Sequence, residues 1–158
     1  RGRHPITAAF LNDEKKIGLC IHLIDNKIDQ GFLLAKHFVK RSYKDDEISI
    51  KKKLLKNLNK LLKKAELNFK NKKIIKISKG KYYKPFYKGI EIKNSRTIDF
   101  KYIYNAAKAQ KSFNGILVNG IRYYDAVFYS KKKVNFSNDV IICKNSKKII
   151  LMKKGRKK

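Results

Sequence analysis

The hydrophobic residues of the first forty positions predict a short helix followed by two strands. Pro5 suits the first turn of a helix that residues 12–13 end. The run 18–24 is almost continuously apolar, which is typical of a buried strand. A polar loop over 25–31 follows, and residues 32–39 form a second apolar run. This order predicts a hairpin-like unit.

A longer helix is predicted where apolar residues recur at helical spacing. The acidic residues 45–47 lie upstream, where they suit a helix N-terminus, and Lys63 and Lys64 suit its end. The opposite face is nearly all lysine, which fits a solvated helix packed on a sheet better than a helix lying on a membrane. The apolar stripe consists of Leu54, Leu55, Leu58, Leu61, Leu62 and Ala65.

The rest of the chain predicts a helix and then strands. Asp99 is placed to cap a helix over 100–110. Asn119-Gly120, which lies between two apolar runs, is the strongest hairpin signal in the sequence. The later runs 140–143 and 147–152 predict a small β meander. The pattern indicates an α/β first domain over 1–80, a linker over 81–98 and a small helix-plus-β region over 99–158.

Charge is distributed unevenly along a chain whose formal net charge is +29. Residues 1–50 carry nine Lys or Arg against seven Asp or Glu. Residues 51–88 carry fifteen Lys against Glu66 alone, and residues 89–158 carry seventeen Lys or Arg against four acids. A face that binds polyanions and the codon bias of an AT-rich genome both explain this excess, and both explanations stay open.

Several classes of protein do not fit the sequence. No apolar run approaches the roughly 18–20 residues of a membrane span, and the first residues lack the apolar stretch of a signal peptide. Phosphate-loop, dinucleotide, kinase and zinc motifs are absent, so no metal site is expected. Cys20 and Cys143 lie in apolar, β-branched settings, so we expect two buried, reduced thiols in a cytoplasmic protein.

One ordered set of short motifs carries candidate chemistry. It begins with Arg1-Gly2 and the Pro-containing helix, continues through an acidic-basic turn and the strand 18–22, and ends with Ile28-Asp29-Gln30-Gly31. In this order the motifs resemble the formyltransferases that use formyl-tetrahydrofolate, a family that includes methionyl-tRNA, glycinamide-ribonucleotide and nucleotide-sugar formyltransferases. Farther on, Thr97–Phe100 resembles the start of the family's C-terminal part.

The resemblance implies a fold with a part missing. It implies the C-terminal part of the family's nucleotide-type α/β fold, followed by a small β-rich tail. The family's catalytic Asn-x-His pair does not occur in this sequence. We therefore expect the chain to begin immediately after that pair, and we expect the isolated chain neither to bind formyl-tetrahydrofolate tightly nor to turn over.

The resemblance also implies the residues of a site. Asp29 is implied as the catalytic carboxylate, which holds the family's His in its useful protonation state and relays the amine proton. His22 is expected mainly as a hydrogen-bonded structural residue. Four loop residues are implied to line the pterin pocket of the cofactor formyl-tetrahydrofolate with their backbone atoms: Asp25, Asn26, Lys27 and Ile28.

The amine acceptor has more than one candidate. The short C-terminal tail favours a nucleotide-linked amino sugar, a small-molecule substrate, over tRNA. The net positive charge of residues 89–158 would suit tRNA, so a methionyl-tRNA formyltransferase stays open. A non-catalytic RNA-binding protein that uses the interleaved Lys and Tyr of 79–88 is a third candidate. A membrane partner is not expected, and a homodimer stays open.

Overall fold

The computed structural model describes residues 2–77, 80–83, 85–86, 89–133 and 138–153. The chain divides into two compact units. The N-terminal unit comprises Arg1–Pro5 and Glu14–Lys84, and the C-terminal unit comprises Ile6–Asp13 and Pro85–Lys158. The second unit therefore includes a segment from near the start of the chain.

The N-terminal unit is built on an antiparallel hairpin of β1 (Lys16–His22) and β2 (Leu33–Lys40). The predicted hairpin is confirmed, but the prediction of a fully buried first strand is wrong. Burial alternates along β1, with Ile17 buried and Cys20 exposed. The reason is that Leu19, Ile21 and Ala35 face a helix, while alternate residues point to the other side of the sheet.

The predicted single leucine-rich helix is two helices, α2 (Glu47–Leu55) and α3 (Leu58–Lys70). The break lies at Asn57, which has non-helical dihedrals and precedes α3 as its N-cap residue. The apolar stripe is divided as a result, because Leu54 and Leu61 are buried whereas Leu55 and Leu62 are exposed. Ala65 is buried beside Leu61, and the acids upstream do begin α2.

The C-terminal unit combines helices with short strands. Helix α4 runs from Phe100 to Gln110, with Asp99 as its N-cap, so the predicted cap and helix are confirmed. The Asp99 carboxylate accepts a hydrogen bond from the Lys101 backbone nitrogen at 2.8 Å. The other elements are α1 (Pro5–Leu11), β3 (Ile90–Ile92), β4 (Ile116–Val118), β5 (Ile121–Tyr123), β6 (Asp125–Phe128), β7 (Asn138–Ile142) and β8 (Lys148–Met152).

The strands form two three-stranded sheets, ordered β3-β4-β5 and β6-β8-β7. Asn119 and Gly120 join β4 to β5 with φ values of 49° and 81°, as a type I′ hairpin turn requires, so this prediction is confirmed. The predicted strands at 140–143 and 147–152 correspond to β7 and β8, which pair antiparallel, but the sheet does not follow the chain order of a meander, because β8 lies between β6 and β7. Strand β3 lies inside the segment 81–98, where a linker was expected, because it pairs in parallel with β4.

The core of the C-terminal unit lies between α4 and the two sheets. Eight consecutive residues of α4, from Ile103 to Gln110, are buried. They pack with Ile116, Val118, Tyr123, Cys143, Ile149 and Leu151, among others. Burial raises the pKa of the Cys143 thiol to about 11, with Asp99 adding to the effect. The expectation of two buried thiols thus holds for Cys143 and is wrong for Cys20, although both are free.

Two features are absent from the part of the chain that the structure describes. None of its helices combines the length and the apolar character needed to cross a membrane. Nor do three or more His, Cys, Asp or Glu side chains come together there as a metal site would need.

Candidate active site in the loop between β1 and β2

The candidate site lies in the loop that joins β1 to β2, residues 23–32. The ends of the loop are held together by the Leu23 backbone nitrogen, which donates to the Phe32 carbonyl at 2.9 Å. Gly31 lies so close to Leu23 that an added Cβ would overlap the Leu23 carbonyl oxygen. A glycine is therefore needed here for close approach of the two backbones.

The loop returns Asp29 to the end of β1, beside His22. The His22 Nε2 and the Asp29 Oδ1 are 3.7 Å apart, and both side chains are partly exposed. Asp29 has a φ of 56°, in the left-handed region that Asp tolerates better than most residues. A residue predicted from the motif and a histidine seven positions earlier are thus neighbours, and Asp29 lies in a turn rather than in a helix.

A second contact defines the tautomer of His22. Its Nδ1 lies 2.9 Å from the Leu23 carbonyl oxygen, which can only accept a hydrogen bond, so Nδ1 carries a hydrogen. The neutral ring therefore turns an acceptor, Nε2, toward the Asp29 carboxylate. A proton on Nε2 would make the ring a cation that faces the Asp29 carboxylate oxygen 3.7 Å away. The pair is suited to receive and pass on a proton.

The four residues implied to line a pterin pocket occupy the exposed part of the loop. Asp25, Asn26, Lys27 and Ile28 are all exposed. The Asp25 carboxylate accepts a hydrogen bond from the Asn26 backbone nitrogen at 2.7 Å, which fixes the local turn. Their role in binding a cofactor stays a prediction.

The C-terminal unit contains a cavity that was not predicted from the sequence. Its volume is about 720 Å³, and Asn145, which lines it, has a φ of 58°. The signal that could have pointed to it is the Asn-Ser turn before β8, although such turns are common. Its walls mix charged, aromatic and apolar side chains, including Glu91, Lys93, Asp99, Tyr102 and Lys144.

Comparison with solved structures finds similar folds. WlaRD, a sugar 3N-formyl transferase crystallised in the presence of dTDP and 5-N-formyl-THF, is 18% identical, with a TM-score of 0.73 over 99% of this chain and 62% of that chain. An N-formyltransferase from Helicobacter canadensis, in complex with folinic acid and dTDP-3-aminofucose, is 18% identical, with a TM-score of 0.71 over 96% of this chain and 61% of that one. HypX from Aquifex aeolicus, in complex with tetrahydrofolic acid, is 14% identical and also has a TM-score of 0.71, over 96% of this chain and 29% of HypX.

The likeness lies in structure rather than in sequence. No family model matches the chain, and a search of curated proteins finds no match. The chain spans 62% and 61% of the lengths of the two N-formyltransferases described above. At these identities the likeness establishes a fold. The predicted α/β class, and the resemblance to formyltransferases at the level of the fold, are confirmed.

Proposed function

We propose that this chain is part of an enzyme that transfers a formyl group from formyl-tetrahydrofolate to an amine. The observation that carries the proposal is the Asp29–His22 pair, held at the end of a hairpin in a chain with the fold of formyltransferases. Support for the cofactor comes from the similar structures, which hold 5-N-formyl-THF, folinic acid or tetrahydrofolic acid.

The chemistry gives the pair a defined task. The amine nitrogen attacks the formyl carbon, so negative charge develops on the carbonyl oxygen and positive charge on the nitrogen. The new carbon–nitrogen bond forms as the bond from the formyl carbon to the folate nitrogen breaks. The attacking amine must lose a proton, and the Asp29 carboxylate, directly or through water, is the group that accepts it. His22 lies where it can share that proton with Asp29.

The chain holds only part of the machinery this reaction needs. Stabilising the developing oxyanion requires donors aimed at the formyl oxygen, and in formyltransferases the Asn-x-His pair faces that oxygen. The present sequence contains no Asn-x-His. We propose that a further polypeptide segment supplies it and that Asp29 orients the imported His.

The acceptor we propose is a nucleotide-linked amino sugar, as used in lipopolysaccharide biosynthesis. Two similar structures are of sugar N-formyltransferases, one with dTDP-3-aminofucose bound, and this supports the choice over tRNA. The excess of lysine keeps a methionyl-tRNA substrate as the second candidate. The cytoplasmic location and a homodimer stay predictions.

The test is formyl transfer to dTDP-3-aminofucose by this chain assembled with a segment that carries Asn-x-His. Asp29→Asn keeps the size of the side chain and removes its charge, so turnover should fall roughly 10²–10⁴-fold. KM should change far less, because the carboxylate acts mainly when charge develops in the transition state. Asp25→Asn is the matched control in the same loop, and it should affect folate affinity or nothing.

Two outcomes would contradict the proposal. Near-normal turnover in both variants of an active enzyme would remove Asp29 from the reaction. Micromolar binding of formyl-tetrahydrofolate to the isolated chain, measured by calorimetry, would show that no further segment is needed for the cofactor site.

A further inference from the structure

Strand β1 has an open outer edge. Among the residues that the structure describes, β1 pairs only with β2, so the two strands form a sheet of their own. The outer edge of β2 is partly occupied, because Leu33 forms an antiparallel bridge with Ile75. The described part of the chain forms no such bridge with β1. The two edges of the hairpin therefore differ, and the edge of β1 is the open one.

The register of the hairpin shows which backbone groups this edge presents. The Arg41 nitrogen donates to the Lys15 carbonyl at 2.9 Å, so these two residues form a hydrogen-bonded pair. Such pairs alternate along an antiparallel ladder, so Ile17, Leu19 and Ile21 also bond to β2. The residues between them turn their N–H and C=O groups away from β2, and these are Lys16, Gly18, Cys20 and His22.

This edge lacks most of the features by which proteins block strand pairing. It is seven residues long, contains no proline and has one lysine, Lys16, at its start. The register shift in its pairing with β2 lies at the far end, between Ile21 and His22. On the side that faces α3, Leu19 and Ile21 are only partly buried. An added strand would bond the outward backbone groups and cover these two side chains.

The open edge ends at the candidate site. His22 is the last residue of β1, and its ring lies 3.7 Å from the Asp29 carboxylate. Neighbouring strands of a sheet lie about 4.8 Å apart, so a strand on this edge would bring its own residues beside His22. The proposed reaction needs a segment with Asn-x-His at this place. One added strand would therefore fill the open edge and complete the site.

We propose that the outer edge of β1 binds an extended strand of the polypeptide segment that carries Asn-x-His. Strand addition of this kind takes its affinity from main-chain hydrogen bonds and its specificity from alternate side chains. The chain spans 62% and 61% of the lengths of the two N-formyltransferases, so more than a third of each has no counterpart in it. The inference rests on the proposed function, because formyl transfer is what requires that segment.

The test is amide hydrogen exchange, measured by NMR on this chain alone and on a fusion. In the fusion, a flexible linker joins this chain to the part of WlaRD that has no counterpart in it. In the chain alone, the amides of Gly18, Cys20 and His22 should exchange much faster than that of Leu19, which bonds to β2. In the fusion, exchange of the three outward amides should slow at least about 10-fold.

A matched pair of proline variants tests the edge itself. Cys20 and Lys36 lie opposite each other in the hairpin, and their N–H groups point to opposite edges of it. Cys20→Pro removes a donor from the outer edge of β1, and Lys36→Pro removes one from the outer edge of β2. In the fusion, Cys20→Pro should speed exchange at Gly18 and His22 about 10-fold, whereas Lys36→Pro should leave it unchanged. A slow Leu19 amide in both variants shows that the hairpin is intact.

The experiment distinguishes docking from catalysis. Protected outward amides without formyl transfer to dTDP-3-aminofucose would support the docking surface and contradict the proposed function. Formyl transfer by a fusion whose outward amides stay unprotected would overturn the docking surface alone, and the absence of both would overturn both. Protection that appears in the chain alone and increases with its concentration would also overturn the docking surface, because the edge would then pair with a second copy of the chain.

Discussion

The two units bury hydrophobic residues to very different extents. In the C-terminal unit a continuous core includes large side chains such as Ile103, Tyr123 and Ile149. In the N-terminal unit one cluster between sheet and helix consists of Ala35, Leu61 and Ala65, and Ile17, Ile50 and Leu54 are the other buried hydrophobic residues among those that the structure describes. Because buried apolar area is the main source of stability, the C-terminal unit should be the more stable one.

The difference is also visible in what the N-terminal unit leaves exposed. Ile24 is 98% exposed and Ile28 is 85% exposed, both in the loop of the candidate site. An apolar groove of about 360 Å³ is lined by Leu23, Leu34, Leu62, Ala65, Glu66 and Phe69. A two-stranded sheet is marginal on its own. We therefore expect the N-terminal unit, which contains the candidate site, to have the smaller free energy of unfolding.

The largest expected effect is on a buried ion pair of the C-terminal unit. The Lys108 Nζ lies 2.7 Å from the Asp125 Oδ1, and Lys111 reaches the other carboxylate oxygen at 2.8 Å. Asp125→Asn leaves the buried Lys108 ammonium without a counter-charge, so the free energy of unfolding should fall by about 3–5 kcal/mol. Lys111→Gln, at a half-exposed partner of the same carboxylate, should cost less than about 1 kcal/mol. Thermal and denaturant unfolding measure both.

The same ion pair predicts how acid affects this unit. Burial raises the pKa of Asp125, but hydrogen bonds from Lys108 and Lys111 outweigh it, so the pKa lies below its ordinary value. Because the pKa is lower in the folded state, the ionised carboxylate stabilises the fold at pH values above its unfolded pKa of about 4. This stabilisation is lost as the pH falls through the lower pKa of the folded state. Unfolding of the wild type should therefore become easier below about pH 4, and this dependence should be weaker in Asp125→Asn. An unchanged acid dependence would remove Asp125 as its cause.

Local signals in the sequence predicted elements well. Asp99 caps α4 with its own side chain. Asn119 and Gly120 adopt the positive φ values that the turn between β4 and β5 requires. The break at Asn57 was not predictable in the same way, because the leucine spacing continues across it. The break is visible only in the structure, where Asn57 has non-helical dihedrals between the buried Leu54 and Leu61.

Contacts between residues that are far apart in the chain could not be predicted from the sequence. The pairing of β3 with β4 joins residues more than twenty positions apart, so 90–92 looked like a linker. For the candidate site, the motif pointed to Asp29, and the spacing alone could not place His22 beside it. That proximity depends on the tight return of the loop at Gly31.

A glycine pair tests whether the site loop is as constrained as its backbone contacts indicate. Gly31→Ala would force the Leu23 backbone to move, so we expect a loss of about 1–3 kcal/mol and a changed NMR signal of the His22 ring. Gly18→Ala, in the same hairpin, brings a Cβ within 2.7 Å of the Phe38 ring, which is half exposed and can turn away. It should cost little, and a larger loss for Gly18→Ala than for Gly31→Ala would contradict this account.

The smallest expected effect on stability comes from removing a helix N-cap, and each unit contains an Asp that caps a helix. Asp46 caps α2, accepting from the Ser49 nitrogen at 2.9 Å while its own nitrogen donates to the Ser49 Oγ at 3.0 Å, and Asp99 caps α4. Asp46→Ala and Asp99→Ala should each cost about 0.5–2 kcal/mol, with Asp46 toward the upper end because the capping box is reciprocal.

The two cap substitutions should differ in whether they promote local opening of the helix or global unfolding. In α2 three of nine residues are buried, against eight of eleven in α4, so the first turn of α2 can open locally and exchange its amide hydrogens faster. In α4 the buried run from Ile103 ties the helix to the core, so the loss should appear in global unfolding alone. Hydrogen exchange by NMR measures both, with Asp25→Ala as the control in an exposed loop outside any helix. Local opening of α4 with α2 unchanged would reverse the assignment of the stable unit, since a helix held by the larger core cannot fray more readily than one held by the smaller.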